Sequence, residues 1–355
     1  MRWPSIAAAV VTLALAAYPG FSGAAKSAAA AARASAQDAG PGPMLPPGET
    51  RPKPAPAPPN PQNLPQASRP LQVRTNVVNV FATVRDHHNM IMTDLDKSDF
   101  KVFEDGVEQK VAYFDKEMNL PLTLAMLMDT SGSMSNILIA EQDAASRFVH
   151  EVIRKRDEAL VMSFDLDVNL LADFTEDPGV LEEAIRRTRI NAAGPVITAG
   201  TVPQKGVIGT DLYDAIYLAC NDELASQSGR KATIVLTDAE DNGSKETLDE
   251  AIEAAQKADT VIHVILITDP SEAAGYGPGV AHDMAEQTGG RVIRVHNDSS
   301  LEKAFDVISE ELRSQYVIGY YPTNTRRDGT YRKIKVEVDR PGAKILARNG
   351  YFAPY

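Results

Sequence analysis

Leu122-Thr123-Leu124-Ala125-Met126-Leu127-Met128-Asp129-Thr130-Ser131-Gly132-Ser133-Met134 is the stretch on which the fold turns. From Leu122 to Met128 it reads as an apolar run, the mark of a strand buried on both faces. Asp129, Ser131 and Ser133 then follow at spacing two, which places three oxygen side chains on one tight turn around Gly132. Beyond the turn, Ile137, Ala140, Ala144, Phe148 and Ile153 recur at helical spacing. A buried strand that runs through an oxygen-rich turn into a helix is a characteristic unit of an open α/β sheet. Such sheets bind ligands at the carboxyl ends of their strands.

Downstream, strand and helix patterns alternate. Ala159–Phe164 reads as a strand, 180–188 as a helix, and 191–209 as a Gly- and Pro-containing loop. A helix from Leu212, the strand Thr233–Leu236, a helix from Thr247 and the strand Val261–Ile267 come next. A helix near 280–287, the strand Arg291–Val295 and a helix near 301–312 complete the series. The alternation predicts a doubly wound α/β domain with a mainly parallel sheet covered on both faces.

The flanks read differently. Before the α/β pattern lie a strand around Val73–Val84 and the segments Phe100–Phe103 and Gln109–Phe114, with the hairpin signal Asp105-Gly106 between the last two. After it lie Tyr316–Tyr321, the turn Asp328-Gly329 and the alternating Ile334, Val336 and Val338. Either set alone has few strands and exposes its edges. The expectation is that both sets pair into one small β-sandwich, with the α/β domain inserted in it. The predicted divisions are 1–24, 25–70, 71–118, 119–313 and 314–355.

The first division reads as a signal peptide: Arg2, the apolar run Ile6–Ala17, and the small residues Ser22-Gly23-Ala24 at a cleavage position. The run is short for a membrane span. An uncleaved anchor, and so a membrane tether, is the alternative. The second division is an Ala- and Pro-rich linker. Between Pro41 and Pro70 it holds 12 of the chain's 23 prolines, too many for a helix interior or a sheet. These features predict an exported protein, whether periplasmic, at the cell surface or secreted. A formal net charge of −12 argues against a nucleic-acid partner, which needs clustered Lys and Arg. Cys220 is the lone cysteine, so no intrachain disulfide forms; after the apolar run 215–219 it reads as a small buried hydrophobe.

Two further oxygen donors stand where the predicted fold brings them to the rim of Asp129. Thr210 precedes a helix, and Asp238 follows the buried strand Thr233–Leu236. One carboxylate with several hydroxyls suits a hard cation such as Mg²⁺, which takes oxygen ligands and keeps some waters. Asp129, Ser131, Ser133, Thr210 and Asp238 resemble, in type and order, the metal-ion-dependent adhesion site of von Willebrand factor A domains, as found in integrins. The resemblance implies one divalent metal, Mg²⁺ or else Mn²⁺ or Ca²⁺. It also implies a protein partner that offers an Asp or Glu as the remaining ligand. Ala239 departs from the pattern, which frequently has Gly there. Asp99–Gly106, Gln315–Pro322 and Arg348–Phe352 resemble a larger family related to von Willebrand factor A and described in Acidobacteria; that resemblance covers about residues 72–354.

Two rival readings compete with metal-dependent protein binding. Asp165-Leu166-Asp167 resembles the Asp-x-Asp start of haloacid dehalogenase-like phosphatases, with Thr237 and Lys245 as supporting residues. That role requires Asp165 to end the central strand, where Asp129 already fits. A hairpin holding Asp165 and Asp167 on the metal-bearing rim accords better with the pattern. The other rival is a structural envelope protein with a vestigial site. The sequence has no Gly-x-Ser-x-Gly elbow, no His-Glu-x-x-His and no phosphate-binding loop, so no catalytic residues are assigned and the chain is read as a non-enzyme.

Overall fold

The structure, a computed structural model, describes residues 77–116, 120–191, 209–268 and 277–355. The expected signal peptide and linker, and nearly all of the expected loop 191–209, lie outside the described residues.

Four strands come first: β1 (Val78–Arg85), β2 (Phe100–Glu104), β3 (Val107–Gln109) and β4 (Val111–Asp115). β2 and β3 form a hairpin through Asp105 and Gly106, both at positive φ (49° and 80°), as the Asp-Gly signal predicts. The expected single strand Gln109–Phe114 is instead two. The chain leaves one sheet after Gln109 and enters another at Val111, so β3 pairs with β2 while β4 pairs elsewhere.

The α/β part follows as β5 (Leu122–Asp129), α1 (Leu138–Val152), β6 (Glu158–Phe164), β7 (Val168–Thr175), α2 (Pro178–Arg187), α3 (Leu212–Leu218), β8 (Arg230–Thr237), α4 (Leu248–Lys257), β9 (Thr260–Ile267), α5 (Gly277–Thr288), β10 (Val292–Val295) and α6 (Asp298–Arg313). Its six strands lie in the order β10-β9-β8-β5-β6-β7. Only β7 is antiparallel, closing a hairpin with β6.

β5 is buried throughout. Leu122, Leu124, Met126 and Met128 point into one core layer with α1, α2 and α6, and Ala125 and Leu127 into the opposite layer with α3, α4 and α5. This period of two with apolar residues on both faces is why the run is continuous. Each fully buried Leu or Met contributes about 2 kcal/mol.

The chain ends with β11 (Tyr316–Tyr320), β12 (Tyr331–Val338), β13 (Lys344–Ala347) and β14 (Gly350–Phe352). They interleave with the first four strands in two antiparallel sheets, β13-β1-β11-β4 and β14-β12-β2-β3. Both sheets contribute to one apolar cluster, including Val80, Val84, Val102, Ile318, Ile334 and Val336. Strands on either side of the α/β part therefore share a core that neither set has alone.

Candidate metal centre

Strand order fixes where the site sits. From β5 the chain proceeds to β6 on one side and later to β8 on the other, so the order reverses at β5. A crevice opens at such a switch point, beyond the carboxyl ends of the strands. In register, Met128 of β5 stands beside Leu236 of β8, and Asp129 beside Phe164 of β6. Asp129 thus emerges between the ends of two parallel neighbours.

The Asp129 carboxylate is fully buried. One oxygen accepts from the Ser131 amide at 2.9 Å and the other from the Thr237 hydroxyl at 2.6 Å. Ser131 leads a tight turn over Gly132–Asn136, and its hydroxyl lies 3.0 Å from that of Ser133. Asp129, Ser131, Ser133 and Thr237 therefore form one hydrogen-bonded cluster. Asp238 follows directly; its carboxylate accepts from the Glu240 amide at 3.0 Å, and its charge bears on Asp129. Buried Thr210 precedes α3. Its carbonyl accepts from the Asn242 amide at 3.1 Å, and the next amide, Asp211, donates to the Asp165 carbonyl at 2.7 Å. Backbone bonds thus hold Thr210 between the loop after β8 and the β6–β7 hairpin.

Asp165 braces this rim. Its carboxylate accepts from the Thr130 hydroxyl (2.7 Å), the Leu166 amide (2.6 Å) and the Asn191 side-chain amide (2.9 Å). Such a carboxylate is committed as an acceptor and lies in the hairpin. Thr237, which the phosphatase reading needs near Asp165, bonds Asp129 instead.

Ala239 is buried at φ 60°, the left-handed region, which accounts for a pattern that frequently has Gly at this position. Close packing also surrounds Asp238: a Cβ on Gly277 would come within 2.2 Å of the Asp238 carbonyl oxygen.

Electrostatics at the rim are one-sided. Burial raises the Asp129 carboxyl to about 6; the hydrogen bonds from Ser131 and Thr237 oppose the rise, and Asp238 adds to it. Glu141 of α1 is raised to about 8 by burial, with Asp129 and Asp238 adding to it. Among the described residues neither Glu141 oxygen has a hydrogen-bond partner. Among the described residues, no three His, Cys, Asp or Glu side chains gather as a metal cage. The donor set is hydroxyl-rich, and orphaned acid oxygens stand near its carboxylates. That combination fits a hard, oxygen-seeking divalent cation.

Sequence reasoning missed Glu141 and gave Thr237 a part only in the phosphatase reading, not beside Asp129. Thr237 ends an apolar strand and reads as its last β-branched residue. Glu141 carried a usable signal: it shares a helical face with Ala145, Phe148 and Val152, where an acid is out of place.

The model of the von Willebrand factor type A domain family matches residues 124–240. No curated protein matches the chain. Among solved structures, the chain is similar to the conserved hypothetical protein BatB from Bacteroides thetaiotaomicron, at 19% identity over 54% of this chain and 100% of that one, with TM-score 0.42. It is also similar to a von Willebrand factor type A protein from Catenulispora acidiphila, at 14% identity over 72% and 73%, with TM-score 0.45. A third is proximal thread matrix protein 1 from the mussel byssus with a zinc-occupied MIDAS motif, at 13% identity over 59% of this chain and 49% of that one, with TM-score 0.45. The chain thus carries a domain of the von Willebrand factor type A family, matched over residues 124–240.

Proposed function

We propose that this protein is an exported, metal-dependent protein-binding module and not an enzyme. Asp129, Ser131, Ser133, Thr210 and Asp238 would hold one divalent cation, Mg²⁺ first, with Mn²⁺ or Ca²⁺ as alternatives. The observation that carries the reading is the buried Asp129 carboxylate, fixed at the switch point of the sheet beside the paired hydroxyls of Ser131 and Ser133. When bound, the cation supplies positive charge at the rim. Ser and Thr hydroxyls are neutral, so they leave that charge largely uncancelled and open to an Asp or Glu of a protein partner.

The domain divisions belong to the same proposal: a signal peptide over 1–24, a linker over 25–70, a β module from 71–118 and 314–355, and the A domain over 119–313. The apolar start and proline density of the sequence support export and a spacer. The hydrogen bonds that engage Asp165 weigh against the phosphatase reading.

The test is Mg²⁺ and Mn²⁺ titration by calorimetry on the full chain, wild type beside Asp129→Ala. Saturable one-site binding that disappears in the variant is the expected result. No binding to the wild type, or unchanged binding to the variant, overturns the assignment.

A further inference from the structure

Helix α1 packs on the sheet through Ala144, Ala145, Phe148, Val149 and Val152. Glu141 stands one turn earlier on the same face, at the i, i+4, i+7, i+11 positions that Ala145, Phe148 and Val152 continue. It is fully buried, and among the described residues neither carboxylate oxygen has a hydrogen-bond partner. An unsatisfied buried polar group costs about 1–3 kcal/mol, and an unpaired buried charge more. An apolar residue there would avoid that cost, so packing does not explain the acid.

The charged groups that bear on Glu141 are Asp129 and Asp238. Both are acids, and among the described residues no cation is set against it. Three carboxyl groups therefore influence one region from β5, from the loop after β8 and from α1. They do not gather into a three-acid cage. Glu141 is thus suited to act at one remove rather than as a direct ligand.

We propose that Glu141 is a positioning residue of the metal centre. Its buried carboxylate supplies negative charge to the bound cation and accepts hydrogen bonds from the hydration water that a cation such as Mg²⁺ keeps. The cation in turn stabilises a carboxylate that otherwise has no partner. The inference rests on the metal reading above and extends it to a residue outside the five-residue pattern. The consequence is a division of labour. The hydroxyl-rich inner set keeps the cation open to a partner's carboxylate, while Glu141 strengthens the hold without being a direct ligand.

The experiment compares the full-length wild type, Asp129→Ala and Glu141→Gln by Mg²⁺ calorimetry and by thermal melting in EDTA and in excess Mg²⁺. Gln keeps the shape and removes the charge. Glu141→Gln is expected to weaken Mg²⁺ binding tenfold or more, and to lose most of the Mg²⁺-induced rise in melting temperature. Its melting temperature in EDTA is expected to equal or exceed that of the wild type. A merely structural Glu141 would show the opposite pattern: lower melting in EDTA with unchanged Mg²⁺ affinity. If Glu141→Gln binds within twofold of a wild type whose binding Asp129→Ala abolishes, this inference fails and the metal reading stands. If the wild type binds no Mg²⁺, both fail. Should Glu141→Gln not fold, Glu141→Leu, matched to the apolar face, carries the same comparison with the same two outcomes.

Discussion

At the residue scale, two buried acids make this domain sensitive to pH in a direction opposite to that of a salt-bridged carboxylate. Burial raises Asp129 from its ordinary 3.8 to about 6 and Glu141 from 4.5 to about 8. Between the ordinary and the raised value, the folded chain keeps a proton that the unfolded chain has lost. Metal-free stability therefore falls as pH rises through that window, by up to about 1.4 kcal/mol per pH unit for each group. Urea unfolding in EDTA at about pH 5 and about pH 8 should show the fall, and the double variant Asp129→Asn, Glu141→Gln should flatten it. A wild-type profile that is level or rising would contradict this account. Thr237 supplies a second prediction. Thr237→Val keeps the shape but strands one Asp129 oxygen, so stability should drop by about 1.5–3 kcal/mol in chemical denaturation. A change below about 0.5 kcal/mol, the usual range for a site away from any such feature, would show that the 2.6 Å bond is not a determinant of stability. What the sequence made legible here was local. Asp129, Ser131 and Ser133 are two residues apart, so one turn brings them together whatever the rest of the chain does. The bond from Thr237 to Asp129 spans 108 positions and depends on which strand lies beside which.

At the scale of elements, legibility followed the strength of the pattern. β5 was readable because a short apolar run between polar flanks, ending on an oxygen-rich turn, suits a strand covered on both faces. The face of α1 was readable in part. Of the stripe Ile137, Ala140, Ala144, Phe148 and Ile153, the last three are buried and Ala140 packs against the core, but the buried face also takes in Leu138, Glu141, Ala145 and Val152. A stripe drawn through apolar residues alone passes over the acid at Glu141. The tight turn Gly132–Asn136 also delays the helix until Leu138, which a count from Ser133 does not anticipate. Within β5, Leu127 is fully buried between the sheet and the layer built from α3, α4 and α5. Leu127→Ala should destabilise the domain by about 2–5 kcal/mol, the loss of transfer energy plus the cavity left in a layer that collapses only partly. Denaturant midpoints at constant slope would report it. A loss under about 1 kcal/mol would mean that neighbouring side chains close the gap.

At the scale of the molecule, buried charge joins the two antiparallel sheets to each other and to the α/β part. Glu104 of β2 accepts from Tyr320 of β11 at 2.8 Å and from Tyr351 of β14 at 3.0 Å, and pairs with Arg332 of β12 at 3.4 Å. Three of the sequence segments that resemble one larger family, Asp99–Gly106, Gln315–Pro322 and Arg348–Phe352, meet at this acid. Phe100–Phe103 and Tyr316–Tyr321 read as β segments in the sequence and Arg348–Phe352 does not; their convergence on Glu104 was not accessible, because it depends on pairings that span more than 200 positions. A second acid ties the β sheets to the α/β part. Glu311, near the end of α6, is almost fully buried and accepts from Arg85 of β1 at 3.0 Å and from Arg291, just before β10, at 2.5 Å. Arg85 is itself buried, and one of its terminal nitrogens lies 3.8 Å from exposed Glu310, with no hydrogen-bond partner among the described residues. Removing Glu311 would leave Arg85 a buried charge without its main counter-ion, a situation that costs about 3–5 kcal/mol. Glu311→Ala should therefore lower stability by that amount. It should act on both parts at once, because α6 leads into β11 and its acid holds β1. Hydrogen exchange would locate the damage. Faster exchange in β1, β11 and β10 together is the expected outcome. Faster exchange confined to the C-terminal turn of α6 would show that the two parts are joined by chain connectivity and apolar contact alone.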